Sequence, residues 1–303
     1  MSEIAGLFVD NLLPILAIAG IGYVLAATIT PDPRTLSLVV FHVFSPALIF
    51  ALITDSQLSG GDMAHMAAFA AGTLLLVGAI AALVGRAMRL PRHTRAALVL
   101  TAMLPNAGNY GLSLNMFAFG NDALAHAAVF FATSAALTYT VGVFVASLGR
   151  ADTRTALHGL LRTPTVYAVL MALVVVAMGW QLPVPVERTV DTLAQGAIPA
   201  FLIVLGMQLH RAGPLRPTAL QGMAVALRLA VSPAVAVGLV AVMGLTGPAR
   251  TAGVVEAAMP TAVVTTVLAE VFDVEPSFVT AVVFASTILS PITLTPLLAW
   301  LTP

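Results

Sequence analysis

The chain has 303 residues, of which 59% are hydrophobic and only 9% are charged, and its formal net charge is zero. Soluble domains carry about 25% charged residues, so this composition leaves too little polar surface to face water and indicates a membrane protein. The balanced charge argues against nucleic-acid binding, which needs a clustered basic surface, and the lack of cysteine excludes disulfides and thiolate metal sites.

Apolar runs separated by charged or Gly/Pro-rich breaks predict ten membrane-spanning helices. In chain order, their limits are 4–29, 34–54, 64–85, 93–119, 122–148, 158–179, 187–209, 217–245, 249–271 and 276–301. The predicted fold class is therefore an all-α membrane protein embedded in the lipid bilayer. The sequence has no phosphate-binding loop motif, so we expect no ATP, no other cofactor and no metal.

The last five predicted spans resemble the first five, because prolines recur in them at nearly the same spacing. The matched prolines are Pro14, Pro46 and Pro105 in the first half and Pro164, Pro199 and Pro260 in the second. Five is an odd number, so the two copies must cross the membrane in opposite orientations, as in the inverted repeats of many secondary transporters. We therefore expect a 5+5 inverted repeat, with residues 1–150 and 151–303 as its halves.

The basic residues, all of them arginines, predict the orientation in the membrane. Arg188 and Arg250 lie on one side and Arg228 lies within a span, whereas ten arginines lie on the other side: Arg34, Arg86, Arg89, Arg92, Arg95, Arg150, Arg154, Arg162, Arg211 and Arg216. Arginine-rich loops stay in the cytoplasm. We therefore expect a protein of the cell (inner) membrane with both termini outside the cytoplasm.

The fourth and ninth predicted spans are interrupted at corresponding positions of the two halves. Pro105, Gly108 and Gly111 interrupt the fourth span, and Pro260 interrupts the ninth. Proline removes a backbone donor and glycine permits non-helical dihedral angles. Paired breaks of this kind form the binding sites of secondary transporters near the middle of the membrane. The alternative is a pair of proline kinks that serve only packing.

Polar side chains at both breaks are candidates for binding an anion: Asn106, Asn109, Tyr110, Thr261, Thr265 and Thr266. His42 and Gln195 each precede a repeat proline by one helical turn, so we expect them to face the same cavity from opposite repeats. The alternative for His42 is a packing role.

Two charged residues lie within predicted spans. Glu256 precedes Pro260 by one helical turn, and a carboxylate at such a depth suggests a proton carrier or a cation ligand. The alternative is that Glu256 lies nearer the outer interface and is solvated. Arg228 has three interpretations: a salt bridge with Glu256, which we prefer, a contact with an anionic substrate, or a side chain that extends to the membrane surface.

Four short segments, residues 105–112, 162–167, 259–262 and 290–294, resemble motifs of the auxin efflux carrier family. This family includes plant auxin exporters and bacterial permeases for malate and malonate. The resemblance implies that spans 1, 2, 6 and 7 form a scaffold and a homodimer contact. It also implies that spans 3–5 and 8–10 form a mobile transport unit in which the broken spans 4 and 9 cross at the site. Ser113 and Val264 depart from the pattern, since many bacterial relatives have proline and asparagine there.

These features together predict a secondary active transporter of a small organic anion, a carboxylate, that works by elevator-type alternating access. A sodium-coupled symporter of the bile-acid type shares the crossed-helix plan and is the alternative within transport. A passive channel is a further alternative. An intramembrane hydrolase is the alternative of another class, but the sequence shows no recognisable pair of nucleophile and base, so we do not expect an enzyme.

Overall fold

The computed structural model describes residues 6–29, 31–55, 58–147, 164–211 and 218–302, and within these ranges the chain contains helices and no β-strand. We label the helices α1 (Phe8–Thr28), α2 (Thr35–Asp55), α3 (Gly60–Ala87), α4 (Arg92–Met103), α5 (Ala107–Ala146), α6 (Pro164–Met178), α7 (Val184–Arg211), α8 (Ala219–Met243), α9 (Gly247–Ala258), α10 (Val264–Phe272) and α11 (Pro276–Leu301). The first residues of the predicted sixth span and Arg150, Arg154, Arg162 and Arg216 lie outside the described residues.

Seven helices in these ranges are long and apolar enough to cross a membrane: α1, α2, α3, α5, α7, α8 and α11. The shorter helix α6 is apolar as well. The all-helical membrane architecture predicted from composition is therefore confirmed. Phe69 and Phe130 pack against each other within one large apolar cluster that runs through most of these helices.

Prolines inside the long helices are accommodated by widened turns. Pro14, Pro46 and Pro233 each come two residues after the end of a π-helical turn. A proline ring clashes with the carbonyl group one turn earlier and cannot donate the usual hydrogen bond, so a wider turn relieves the clash without ending the helix.

Helix α5 folds back on itself at Gly120, whose φ of 75° and ψ of −163° are not helical. A Cβ atom built on Gly108 would lie 2.8 Å from the ring of Phe131. These two residues would be about 35 Å apart along a straight helix at 1.5 Å per residue. The two arms of α5, residues 107–119 and 121–146, therefore run beside each other.

The helices pack in two groups. In the first group, α1 packs on α7, and α2 packs on both α6 and α7. In the second group, α3 contacts α4, α5 and α8, while α9 contacts α5, α8 and α11. The two groups meet at α5. Helix α7 contacts the first residues of α5, and α2 contacts residues further along α5. The candidate site lies at this junction.

Candidate functional site

The two interruptions of the chain, between α4 and α5 and between α9 and α10, lie against each other. Leu104 and Met259 adopt extended backbone conformations at the ends of α4 and α9. The Asn106 N–H donates to the Pro260 carbonyl oxygen at 2.7 Å, and the Ala262 N–H donates to the Leu104 carbonyl oxygen at 2.9 Å. These antiparallel bonds satisfy backbone groups that would otherwise be unpaired inside a membrane.

The carboxyl ends of α4 and α9 share one cation, the guanidinium group of Arg228. Its Nη1 donates to the carbonyl oxygens of Ala102 at 2.7 Å and Met103 at 3.3 Å. Its Nη2 donates to the Ala257 carbonyl oxygen and to Oγ of Ser232. Helix carboxyl ends carry partial negative charge and unpaired carbonyl groups, so a buried cation between two of them is well stabilised.

The salt bridge that we expected between Arg228 and Glu256 does not form in the described part of the chain. The guanidinium group is occupied by the helix carbonyls, and it is fully buried rather than extended to the membrane surface. The physical reason is that three backbone carbonyl groups at the double interruption accept from the guanidinium group, and arginine supplies several donors in one plane.

A cavity of about 650 Å³ lies at the other side of the interruptions, where α5 and α10 begin. Pro105, Asn106, Gly108 and Asn109 line it from the first interruption, and residues 262–264 and Thr266 line it from the second. The remaining lining residues come from α2, α7, the second arm of α5, α10 and α11. The amino ends of two helices, each with partial positive charge, therefore meet at one cavity.

Three buried polar atoms of the cavity lining have no hydrogen-bond partner among the described residues. They are Nδ2 of Asn106, Oγ of Ser45 and Oε1 of Gln208. Asn106 itself is only 4% exposed, so its amide group is not satisfied by bulk solvent. Buried polar groups are normally paired, and unpaired ones that line a cavity are therefore candidates for contact with a ligand.

The described cavity lining contains no arginine or histidine, and Glu270 is its one carboxylate. Glu270 is exposed, toward the end of α10 that lies away from the interruptions. The donors near the interruptions are thus backbone amides and neutral side chains.

Tyr110, Thr261 and Thr265, three of the predicted site residues, support the interruptions from behind and do not line the cavity. Thr261 Oγ1 donates to the Thr101 carbonyl oxygen at 2.8 Å, and Thr265 Oγ1 donates to that of Ala262 at 2.6 Å. The Tyr110 hydroxyl is buried beside Oγ of Ser290, which lies 3.5 Å away. Gly111 and Pro260 are buried and do not line the cavity either.

His42 and Gln195 are not brought to the cavity. Both side chains are exposed on their helices and neither belongs to the lining. His42 Nδ1 donates to the Leu38 carbonyl oxygen of its own helix at 3.0 Å.

Sequence reasoning did not single out Ser45 and Gln208, which do line the cavity. Ser45 is next to the repeat proline Pro46, and Gln208 is an amide within a predicted span. Both signals were available, since polar groups at membrane depth are candidates for function.

Glu256 lies in the last turn of α9, fully buried and outside the cavity lining. Nδ2 of Asn115 donates to its Oε1 at 3.0 Å. The alternative of a solvated side chain does not hold, because the described helices enclose Glu256 completely.

Comparison with known proteins identifies the family. The family model described as "Membrane transport protein" matches residues 7–154 and again residues 149–298. The chain belongs to this family. The match confirms the resemblance to the auxin efflux carrier family, and it establishes the protein as a membrane transporter.

Relatives of this family member are found in archaea and bacteria. An "Uncharacterized transporter" of Methanothermobacter thermautotrophicus is 29% identical over 94% of the chain and 95% of its own length. A "Putative malonate transporter" of Rhizobium meliloti is 26% identical over 98% of the chain and 96% of its own length. An uncharacterized transporter of Methanocaldococcus jannaschii is 24% identical over 85% of the chain and 86% of its own length.

Proposed function

We propose that this membrane transporter carries a small organic anion and holds its carboxylate at the paired interruptions. One observation carries the proposal: the amino ends of two helices meet at one cavity, and Asn106 in its lining has an amide nitrogen without a partner among the described residues. The described lining contains no basic residue. Helix amino ends favour anions, and amide N–H groups are good donors to a carboxylate. The name of the Rhizobium meliloti relative suggests malonate as the first anion to test.

A site made of neutral donors suits a carrier that must also move when empty. A fixed arginine in the cavity would hold the anion, but it would leave an unpaired charge in the membrane after release, at a cost of at least about 2.5 kcal/mol. Here Arg228, the one buried arginine among the described residues, stays compensated by helix carbonyls. The empty site therefore keeps no unpaired positive charge after release.

We infer a fold of ten spans in a 5+5 inverted repeat. Helix α4 with the first arm of α5 makes span 4, the second arm makes span 5, and α9 with α10 makes span 9. The two matches to the family model, one for each half of the chain, support this repeat. The direction of the half-helices supports the repeat too. In each interrupted span, the half-helix before the break ends at Arg228, and the half-helix after the break begins at the cavity.

The transport mechanism that we propose is an elevator movement. The first packing group, α1, α2, α6 and α7, is the scaffold and supplies the homodimer contact. The second packing group is the mobile unit. The cavity is lined from α2 and α7 on one side and from α5, α10 and α11 on the other. A site between two bodies changes its accessible side when one body slides past the other.

The cavity extends toward the ends of helices that the arginine distribution places in the cytoplasm. It reaches Ser37 near the start of α2, Gln208 near the end of α7 and Glu270 near the end of α10. Under the expected orientation, with both termini outside the cell membrane, the structure represents an inward-facing state.

The proposal is tested with purified protein in proteoliposomes loaded with unlabelled malonate. We expect labelled malonate outside to exchange into the vesicles with saturation, and other dicarboxylates to compete. Linear flux without exchange would indicate a channel. Exchange that requires sodium would indicate the symporter of the bile-acid type. No exchange for malonate or any competing carboxylate would refute the carboxylate site.

A further inference from the structure

Glu256 and Asn115 form a second polar site in the buried interior of the protein, separate from the cavity. Glu256 is fully buried in the last turn of α9, and Asn115 is fully buried in the first arm of α5. The Asn115 amide Nδ2 donates to the Gly111 carbonyl oxygen and to Glu256 Oε1, both at 3.0 Å. This single amide group is the one donor to the carboxyl group in the described part of the chain.

Two acceptor oxygens at this site have no donor. Oε2 of Glu256 and Oδ1 of Asn115 are both buried without a hydrogen-bond partner among the described residues. The carboxyl group also packs tightly on Gly111, since a Cβ atom built there would overlap its oxygens. The tight packing favours a proton over a hydrated or multiply coordinated ion, because a metal cation takes about six oxygen ligands and needs space for them.

Among the described residues, no positive group pairs with the carboxyl group of Glu256. The elements packed against α9 are α3, α5, α8 and α11. Their titratable and charged residues in the described ranges are Asp62, His65, Arg86, Tyr110, Asp122, His126, Tyr139 and Arg228. Arg228 bonds helix carbonyls and Tyr110 lies beside Ser290, while Asp62, His65, Arg86 and Asp122 are exposed. An isolated buried carboxylate is strongly disfavoured, so the neutral acid fits this surrounding.

The site is linked to the cavity through the first turn of α5. The Gly111 N–H donates to the Asn106 carbonyl oxygen at 3.0 Å, and Asn106 belongs to the cavity lining. Glu256 therefore touches the same helix turn whose amino end we assign to the substrate carboxylate. A change in charge at Glu256 alters the electrostatic potential at that turn directly.

We propose that Glu256 is the proton-carrying group of this transporter and that one proton bound at Oε2 moves together with one substrate anion. The proposal rests on the carboxylate transport proposed above. The neutral acid accompanies the loaded mobile unit across, and the carboxylate forms again when Oε2 releases the proton to the side on which the anion leaves.

The test uses wild-type protein and Glu256→Gln in proteoliposomes with malonate as the probe. Potassium and valinomycin hold the membrane potential at zero, and sodium is absent. For the wild type, we expect a gradient of one pH unit to drive accumulation up to about tenfold, because a tenfold proton ratio is the available driving force. A dye inside the vesicles should report acidification that accompanies malonate entry and is absent from protein-free vesicles.

Glutamine has nearly the shape of the neutral acid and cannot lose a proton. We expect Glu256→Gln to retain malonate exchange at equal pH on both sides and to lose accumulation, with a final ratio near one. Glu187→Gln is the matched control, because Glu187 is exposed near the start of α7. It should accumulate malonate like the wild type.

The outcomes separate the two proposals. Absence of malonate exchange in the wild type would refute the proposed function. Net malonate entry into wild-type vesicles without acidification, or accumulation driven by a sodium gradient instead, would overturn proton coupling alone, and this result does not depend on whether the variant folds. Accumulation by Glu256→Gln at the wild-type level would assign the proton to another group.

Discussion

Asn106 shows how one residue serves both the fold and the cavity. Its backbone N–H donates to Pro260, and its carbonyl oxygen accepts from Tyr110 and Gly111. These bonds hold the main chain between the two interruptions. The side-chain amide is then available to the cavity, where its Nδ2 has no partner among the described residues. Backbone and side chain can therefore be tested separately.

Asn106→Ala should weaken malonate binding while the protein stays folded, because alanine keeps all the backbone bonds. Loss of one hydrogen bond to a charged ligand costs about 1.5–3 kcal/mol, roughly tenfold to over a hundredfold in affinity. Titration calorimetry on monodisperse protein in detergent measures the effect. The control is Asn121→Ala, since Asn121 is exposed beside the bend at Gly120. Equal affinity in Asn106→Ala and wild type would move the site elsewhere.

Arg228 has a structural task that can be measured as stability. Arg228→Met removes the donors to the carbonyl oxygens of Ala102 and Met103, whereas Ser232 Oγ still donates to that of Ala257. Each buried carbonyl left without a partner costs about 1–3 kcal/mol, so the melting temperature should fall by roughly 4 °C or more. Differential scanning fluorimetry in detergent gives the value. Arg188→Met, at an exposed position of α7, should change it little. An unchanged melting temperature in Arg228→Met would mean that water or neighbouring groups satisfy these carbonyls.

At the scale of elements, glycines decide how closely α1 and α7 approach. A Cβ atom on Gly22 would overlap the Ile203 carbonyl oxygen, and one on Gly206 would overlap that of Ala19. The two backbones are therefore in direct contact. Small residues permit such contacts in membranes, where association depends on packing and not on the exclusion of water.

Gly22→Ala should destabilise the protein by about 1–3 kcal/mol, because backbone cannot yield to the added methyl group as a side chain would. Gly20→Ala is a close control on the same helix, since its added Cβ would meet no atom within 4 Å. Thermal unfolding of both variants in the same detergent makes the comparison. If Gly20→Ala were as destabilised as Gly22→Ala, the α1–α7 contact would not be the cause, since helix propensity alone favours alanine over glycine.

At the scale of the whole molecule, the orientation in the membrane rests on arginine asymmetry alone. Six of the ten arginines on the proposed cytoplasmic side fall within the described residues, namely Arg34, Arg86, Arg89, Arg92, Arg95 and Arg211. They lie at or near helix ends, close to the short loops that the positive-inside rule considers. The side that the cavity faces depends on the same assignment.

The topology predicts that a reporter fused after Pro303 lies outside the cytoplasm. A C-terminal alkaline phosphatase fusion should be active, and a C-terminal green fluorescent protein fusion should be dark. As a control, the same reporters fused after Arg89 should give the opposite pattern, because this loop is rich in arginine. A fluorescent C-terminal fusion would show that the C-terminus lies in the cytoplasm. The proposed orientation and the inward-facing state would then both be wrong.

Composition and residue spacing were enough to predict an all-helical membrane transporter and to locate Pro105 and Pro260 as interruptions. The reason is that these properties are local. Lipid requires long apolar segments, and proline interrupts a helix wherever it cannot be accommodated. The amide Asn106 could be assigned to the cavity for the same reason, since it directly follows an interruption.

Only the tertiary structure decided which polar groups meet. Arg228 and Glu256 looked like an ion pair from the sequence, but the packing of α8 places the guanidinium group on helix carbonyls and leaves the carboxyl group with Asn115. His42 and Gln195 have matched prolines one turn later, yet neither lines the cavity. Spacing along a chain determines the face of one helix, whereas the partner of that face depends on how helices distant in sequence pack together.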